Sequence, residues 1–451
     1  MIDDTVTSFT FDLLLIDRLC RGSLGRLLLV LSLSISWEIA DMTYKDLILA
    51  SLTATTLTFV SCSGTSDTDS SDDRVDSSDS GRHPVVVLLV DGVRTGQLGS
   101  YGAAESSTPN LDEFSNGAIR FDWAFAQAPD AAASMASLLT GLYPTTHGLV
   151  ETDDRLVDEA GTLPEVLSGA GMTTAAFMTS GEALDKRGMD QGFDFVESGP
   201  QALEGAVQWI EQNAGDDFFV VVEVGSVDAS AVDAEDPAES YSAQVETLDS
   251  SAGRVLQALE GAGLTDKATI AVVALSGFEM GEHAEIGQPS IYSVETHVPM
   301  FLRSPHLPKG GSIDKIVEVI DLGPTLIELQ GEEAPVELQG RSLVPLIEGS
   351  GTPPYVAFGE DAGKGEYYAA LGGYRLVQRG PDGPGELYDL ATDPTEMTDL
   401  ASSDENRVTV LEDHLGAWKK MVSAASLDPE RRTEELDDEA LEQLKSLGYI
   451  Q

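Results

Sequence analysis

Val85-Val86-Val87-Leu88-Leu89-Val90 is an unbroken apolar run, mostly β-branched, that stops at Asp91-Gly92. A strand covered on one face alternates apolar and polar residues; a run with no polar member needs cover on both faces, as in a central parallel strand. Similar runs recur at Thr174 to Met178, Phe218 to Val222, Thr269 to Leu275 and Pro299 to Leu302. Helical patterns lie between them: Leu163 to Ala170, Ser242 to Gly261 with Val245, Leu248, Ala252, Val255, Leu256 and Leu259 on one face, and Leu322 to Leu329. Strand-helix alternation at this spacing predicts an α/β sandwich around a mostly parallel sheet. Ligands in such folds sit beyond the carboxyl ends of the strands. Asp91, Glu223 with Asp228, and Leu275 with Ser276 are therefore the places where chemistry is expected.

From about Ala334 the texture changes to frequent Gly and Pro with short strand-like pieces: Tyr355 to Phe358, Tyr368 to Leu371, Tyr374 to Gln378 and Glu386 to Leu390, then a turn at Asp393-Pro394. A helix near Val408 to Met421 follows, then a charged, helix-forming stretch from Asp428 to Leu444. The expected organisation is a main domain over 84–333 and a small C-terminal α+β subdomain with a helical tail over 334–451.

The chain has 451 residues, 77 Asp and Glu against 26 Lys and Arg, and a formal charge of -51. Nucleic acid and anionic lipid headgroups are repelled by such a chain, so neither is an expected partner. The acids are spread along its length, the pattern of a solvated surface. Hydrophobic residues make up 42%, which supplies a core and excludes wholesale disorder. The two cysteines, Cys20 and Cys62, both precede the folded part, which therefore has no disulfide, thiol nucleophile or zinc-thiolate site.

The segment 42–61 resembles a bacterial lipoprotein signal. Lys45 gives a positive start, Leu47 to Val60 is an apolar run too short for an ordinary membrane span, and Phe59-Val60-Ser61-Cys62 resembles a lipobox. The resemblance implies that Cys62 is lipidated and begins the mature chain; an ordinary cleaved signal or an uncleaved anchor is the alternative. The implied location is the bacterial cell envelope, periplasmic or at the outer-membrane surface, with the membrane reached through the lipid. Residues 1–41 carry a second apolar run, Leu27 to Ile35, ahead of a signal that should itself be N-terminal. Met42 is then the expected true start, or else the two runs form a membrane hairpin. Residues 62–83, rich in Ser, Asp, Thr and Gly, have little to bury and read as a disordered tether.

Several motifs occur in a fixed order: Val87-Leu88-Leu89-Val90-Asp91, Leu98-Gly99-Ser100-Tyr101-Gly102, Thr108-Pro109-Asn110-Leu111, Ala136 to Pro144 with His147-Gly148, Gly281-Glu282-His283, Asp321-Leu322-Gly323-Pro324-Thr325, Gln339-Gly340-Arg341-Ser342-Leu343, Glu386 to Leu390, and Leu447-Gly448-Tyr449. In this combination the chain, from Pro84 to Ile450, resembles a sulfatase of the alkaline phosphatase superfamily. The resemblance implies a formylglycine nucleophile made from Cys or Ser in a Cys/Ser-x-Pro-Ser-Arg motif, a calcium ion held mainly by Asp, and Lys and His around the sulfate.

Carried over position by position, most of that machinery is absent. Thr140-Gly141 sets the register and places Ala131 at the nucleophile and Met135 at the motif Arg. Alanine has no heteroatom to attack with or to oxidise. Ser134 is a candidate displaced nucleophile, with a helix hydrogen bond as the alternative. Asp91 matches the first metal ligand but is followed by Gly92, and the later metal pair aligns with Leu275-Ser276, of which Leu275 offers no donor. Calcium takes about six to eight oxygen ligands, so Asp91 is a vestigial ligand, with capping of the following helix as its expected structural use. Glu223 and Asp228 stand where the family tends to have His, which makes the pocket hostile to an anionic ester. A rescue reading gathers Asp91, Glu223 and Asp228 into a new cation site. His147, His283 and His297 lie near matched motifs and are expected to hydrogen-bond loops. Arg375 stands where the family often has Lys and is a candidate anion contact, a surface salt bridge being the alternative. The expected function is a pseudoenzyme that binds an unidentified ligand or protein partner, with no cofactor; the alternative is a sulfuric or phosphoric ester hydrolase with a relocated, calcium-dependent site.

Overall fold

The run that opens the folded part forms the central strand of a nine-stranded sheet. β1 (Val85–Asp91) lies between β5 (Phe218–Ser226) and β6 (Thr269–Val273), parallel to both. Its six apolar residues have no exposed surface. The other strands are β2 (Ile119–Phe125), β3 (Thr173–Met178), β4 (Phe195–Ser198), β7 (His297–Val298), β8 (Met300–Arg303) and β9 (Ser312–Glu318). The order is β4-β3-β5-β1-β6-β8-β2-β7, with β9 pairing β2. From β4 to β6 every neighbour is parallel; β8 is antiparallel to β6 and to β2. This is the α/β architecture expected. The structure, a computed structural model, describes residues 82–428 except 152–153, 181–183, 234, 336, 352–354 and 381–382, together with 445. The expectations for 1–41, for 42–61 and Cys62, for nearly all of the 62–83 tether, and for most of the tail lie outside the described residues. Among those described, no helix is long and apolar enough to cross a membrane.

The expected helices are present and differ mainly at their ends. Leu163–Gly169 starts at a capping box in which Thr162 and Glu165 satisfy each other's backbone amides. The long helix runs over Pro237–Gly261, five residues earlier than its apolar pattern, because Asp236 caps it and Pro237 occupies its first turn. Strand ends moved too. β5 continues past Val222 to Ser226, so Glu223 is a strand residue, while β6 stops at Val273, before Leu275.

The second sheet is a four-stranded antiparallel meander of β10 (Val356–Asp361), β11 (Glu366–Leu371), β12 (Tyr374–Arg379) and β13 (Gly385–Asp389). The helix Glu405–Ala424 covers it, burying Trp418 against the stacked ring of Phe358 and edge-on to Tyr143. Tyr143 belongs to the main domain. Its hydroxyl donates to Glu318 at the end of β9, and that carboxylate also accepts from the Phe358 amide, so one buried acid ties the two sheets.

Candidate functional site

Asp91 ends β1, where a bulge after Leu89 shifts it opposite Ser226 of β5. The expected helix-capping role does not hold: Asp91 Oδ1 accepts from the backbone N (3.0 Å) and the hydroxyl (3.1 Å) of Ser276. The Gly92 amide in turn donates to the Ser276 carbonyl. Asp91 and Ser276, both expected from the resemblance to stand at metal-ligand positions, therefore close on each other. Gly92 has φ 77, and a Cβ there would sit 2.8 Å from Val227 Cβ, so the backbone path itself excludes a second ligand at that position. Leu275 is 4% exposed in the main core, and Met135 is 3% exposed in the same core. Hydrocarbon thus fills space at the expected metal-ligand and motif-Arg positions.

Ala131 is the first residue of the helix Ala131–Thr140, which Asp130 caps by accepting from the Ala133 amide at 2.9 Å. Gly141 ends that helix in the left-handed region and accepts from Gln339 and Gly340, which is why Thr140-Gly141 marks the register so firmly. Ser134 is wholly buried, and its hydroxyl donates to the Ala128 carbonyl at 2.8 Å, in the loop ahead of the helix. It is not presented to any cleft. His147, also wholly buried, meets Ser137 Oγ at 3.1 Å, while its Nδ1 accepts from the Leu149 amide. Burial holds His147 neutral, down at about 3. His283 pairs with the Thr395 carbonyl and stacks on Tyr292; His297 pairs with the Asp122 carbonyl beside Trp123. His283 holds a loop as expected, whereas His147 joins a helix to the chain after it and His297 ties β7 to β2.

The three acids of the rescue reading do not converge. Glu223 is buried and accepts from the Ser180 amide and hydroxyl at 2.9 and 2.8 Å. Asp228 is fully exposed and accepts from the amide and hydroxyl of Ser230. Among the described residues no group of three or more His, Cys, Asp or Glu is placed to hold a metal ion. Asp91 and Glu223 do face each other. Burial first, then repulsion from Glu223, raises the Asp91 carboxyl to about 7.

The sequence reading missed the groups that complete this corner. Glu295 is buried at 4% exposure, and burial with repulsion from Asp91 and Glu279 raises it to about 8. Glu279 is wholly buried and accepts from the amides of Gly281, Glu282 and His283 and from the Ser290 hydroxyl. Arg94 grips Glu282 with both terminal nitrogens, at 2.8 and 2.9 Å, and donates through Nε to the Phe278 carbonyl. Glu279 and Glu282 had a signal, since with Gly277, Gly281 and His283 they set the register of the later metal pair; Arg94 and Glu295 belong to no local pattern.

Arg375 requires a correction. It is neither an anion contact nor a surface residue: its side chain is wholly buried. Nη1 meets Glu396 at 2.8 Å, Nη2 donates to the Ile291 carbonyl and to Thr296 Oγ1, and the guanidinium lies 4.0 Å from the Tyr368 ring. β12 points it inward, and the turn carrying Glu396, itself at φ 57, brings the partner. Both terminal nitrogens are engaged, which leaves no face for a ligand.

An open cleft of about 450 Å³ lies beside the start of the Ala131–Thr140 helix, walled by Asp130, Ala133, Glu151, Glu360, Asp361 and Lys364 among others. Its lone cation, Lys364, is held by Asp361 at 2.9 Å and by the Pro289 carbonyl. Four carboxylates against one engaged ammonium give the cleft a field that repels an anionic ester.

Comparison with known proteins matches residues 83–332, more than half of the chain, to the family model described as Sulfatase. Residues 281–420 match that of the N-sulphoglucosamine sulphohydrolase C-terminal region. Among curated relatives, a sulfatase of Formosa agariphila is 32% identical over 166 residues, 37% of this chain and 32% of its own. The N-acetylglucosamine-6-O-sulfatase of Bacteroides thetaiotaomicron is 30% identical over 173 residues, 36% of this chain and 31% of its own. The matched stretches thus span about a third of these relatives' lengths. Solved structures agree on the fold: BT4656 in complex with D-glucosamine-2-N,6-O-disulfate superposes with a TM-score of 0.65 at 19% identity, covering 78% of this chain and all of that one. The phosphonate monoester hydrolase of Agrobacterium radiobacter gives 0.59 at 19% identity, covering 76% and 95%.

Proposed function

Because the chain belongs to the sulfatase family, of the alkaline phosphatase superfamily, we propose that it is a member that binds without hydrolysing, a pseudoenzyme carried as a lipoprotein of the bacterial cell envelope. The observation that carries this reading is the state of the Asp91 corner. Sulfate-ester hydrolysis needs a nucleophile, a cation that holds the ester and activates the nucleophile, and basic donors for the transferring oxygens. Ala131 supplies no attacking atom. Leu275 supplies no ligand, and Oδ1 of Asp91 is engaged by the amide and hydroxyl of Ser276. The donor set does not fit calcium, so no cofactor is part of the proposal. Acids stand in place of the basic clamp at Glu223 and Asp228, and the nearby cleft is acidic. A sulfated sugar, such as the D-glucosamine-2-N,6-O-disulfate in the BT4656 structure, is a poor ligand for such a surface. Binding falls instead to an unidentified neutral or cationic ligand or a protein partner, and attachment to the membrane falls to a lipid on Cys62.

Purified protein assayed on aryl sulfates and aryl phosphates, with and without millimolar calcium, should give background rates. Turnover that Asp91→Ala abolishes would overturn the inactive reading. Mass spectrometry of the mature N-terminus tests the anchor separately: an unmodified peptide spanning Ser61-Cys62-Ser63 would remove it.

A further inference from the structure

We propose that Arg94 is a built-in counter-ion, which closes the loop 276–296 over the end of β1 and lets this corner carry its acids without a divalent cation. The proposal rests on the inactive reading of the site and adds the device that keeps the emptied site folded.

The geometry is that of a clasp between two segments 188 residues apart in sequence. Arg94 leaves the chain three residues after Asp91. Its backbone amide donates to the Tyr241 hydroxyl, which donates onward to the Gly92 carbonyl, so the start of the side chain is fixed to the strand end. The guanidinium then spans to the loop, with Nε on the Phe278 carbonyl and both terminal nitrogens on Glu282. A planar fork matched to a carboxylate fixes orientation as well as charge, which an ammonium cannot do. The far side of the loop is seated by close backbone approach: a Cβ on Gly277 would fall 2.1 Å from the Val294 carbonyl oxygen.

The charge count explains why a cation is needed. The groups that face the guanidinium are Glu282, Glu279 and Glu295 and the Tyr241 phenol. Asp91 is repelled by Glu223 and in turn repels Glu295. Arg94 is the basic side chain that lowers both Glu282 and Glu295. Burial works to raise Glu282, and the hydrogen bonds and charge of Arg94 overcome it, holding the carboxyl down at about 2.

The test is thermal melting of the full chain as Arg94→Met, which keeps apolar length and removes charge, and as Arg94→Lys, which keeps charge and loses the fork. At pH 7 the Met variant should melt lower than the wild type by about 2–4 °C, and the Lys variant should lie between them. A depressed carboxylate contributes stability above its unfolded pKa and loses it as pH falls toward the folded value. The gap between wild type and Arg94→Met should therefore narrow below about pH 4.5. A gap that is constant with pH, or a Lys variant no better than Met, would make the role one of packing and overturn the counter-ion. A rise in wild-type melting with calcium would instead overturn the inactive reading, and it leaves the pH-dependent gap to be read on its own.

Discussion

Two of the arginine-glutamate pairs among the described residues, Arg375 with Glu396 and Arg94 with Glu282, differ in what surrounds them. Arg375 and Glu396 are matched one to one, sealed from water, and completed by a carbonyl, a threonine hydroxyl and an aromatic face. Arg94 and Glu282 are partly open, at 17% and 23% side-chain exposure, and lie among further buried acids, Glu279 and Glu295. A buried charge is tolerated when its partner and hydrogen bonds are complete. In the C-terminal sheet the pair meets most of that condition, with only Arg375 Nε left without a hydrogen-bond partner. At the strand ends it is met only in part, and protons make up the difference, which is why Asp91 and Glu295 are raised while Glu282 is depressed.

The largest effect should come from breaking the sealed clasp. Arg375→Met leaves Glu396 buried without its partner and should cost about 3–5 kcal/mol in urea denaturation. The double variant Arg375→Met, Glu396→Met should recover part of that loss, since no orphaned charge remains; a double variant that is fully additive would mean the two side chains act independently. Next, Leu275→Asp would add a carboxylate to the acid-rich corner with no cation to meet it. It should destabilise by about 1–3 kcal/mol, and calcium should not restore the loss.

A smaller effect concerns pH. Glu295 and Glu318 are raised to about 8 and Asp91 to about 7, in each case by burial first. A carboxyl whose folded pKa is raised contributes stability below its unfolded pKa and loses it as pH rises through the folded one. His147 and His297, depressed to about 3 and 4 by burial, act in the opposite sense, but their contribution is complete above about pH 6.5. Between pH 6.5 and 8 only the acids act, so the melting temperature should fall across that window. Glu295→Gln should flatten the slope and exceed the wild type at pH 8 by about 1 kcal/mol; an unchanged slope would place the protons elsewhere. The smallest expected effect is that of Ala131→Ser. At the first turn of a helix it should change stability by no more than about 0.5 kcal/mol, and by itself it should yield no ester hydrolysis, because groups that act as a unit return little singly.

The sequence alone determined the central strand, the mostly parallel sheet and a small C-terminal α+β subdomain, because continuous apolar runs and strand-helix spacing are local records of which faces are buried; the antiparallel order of the subdomain's strands came only with the structure. The resemblance carried by its motifs also pointed to losses at Ala131 and Leu275, whose side chains have no atom to attack or to bind a cation, and at Met135, which carries no charge. Partnership was decided only by the tertiary structure. Arg375 read as a surface cation because nothing near it in sequence foretells Glu396, Ile291 and Thr296 closing around it. Arg94 and Glu295 drew no notice because their partners are remote in sequence. Asp91 read as a helix cap, whereas a bulge and the exit of β6 deliver Ser276 to it across 185 residues. Burial and charge pairing are sums over neighbours in space, and a chain records those neighbours only once it has folded.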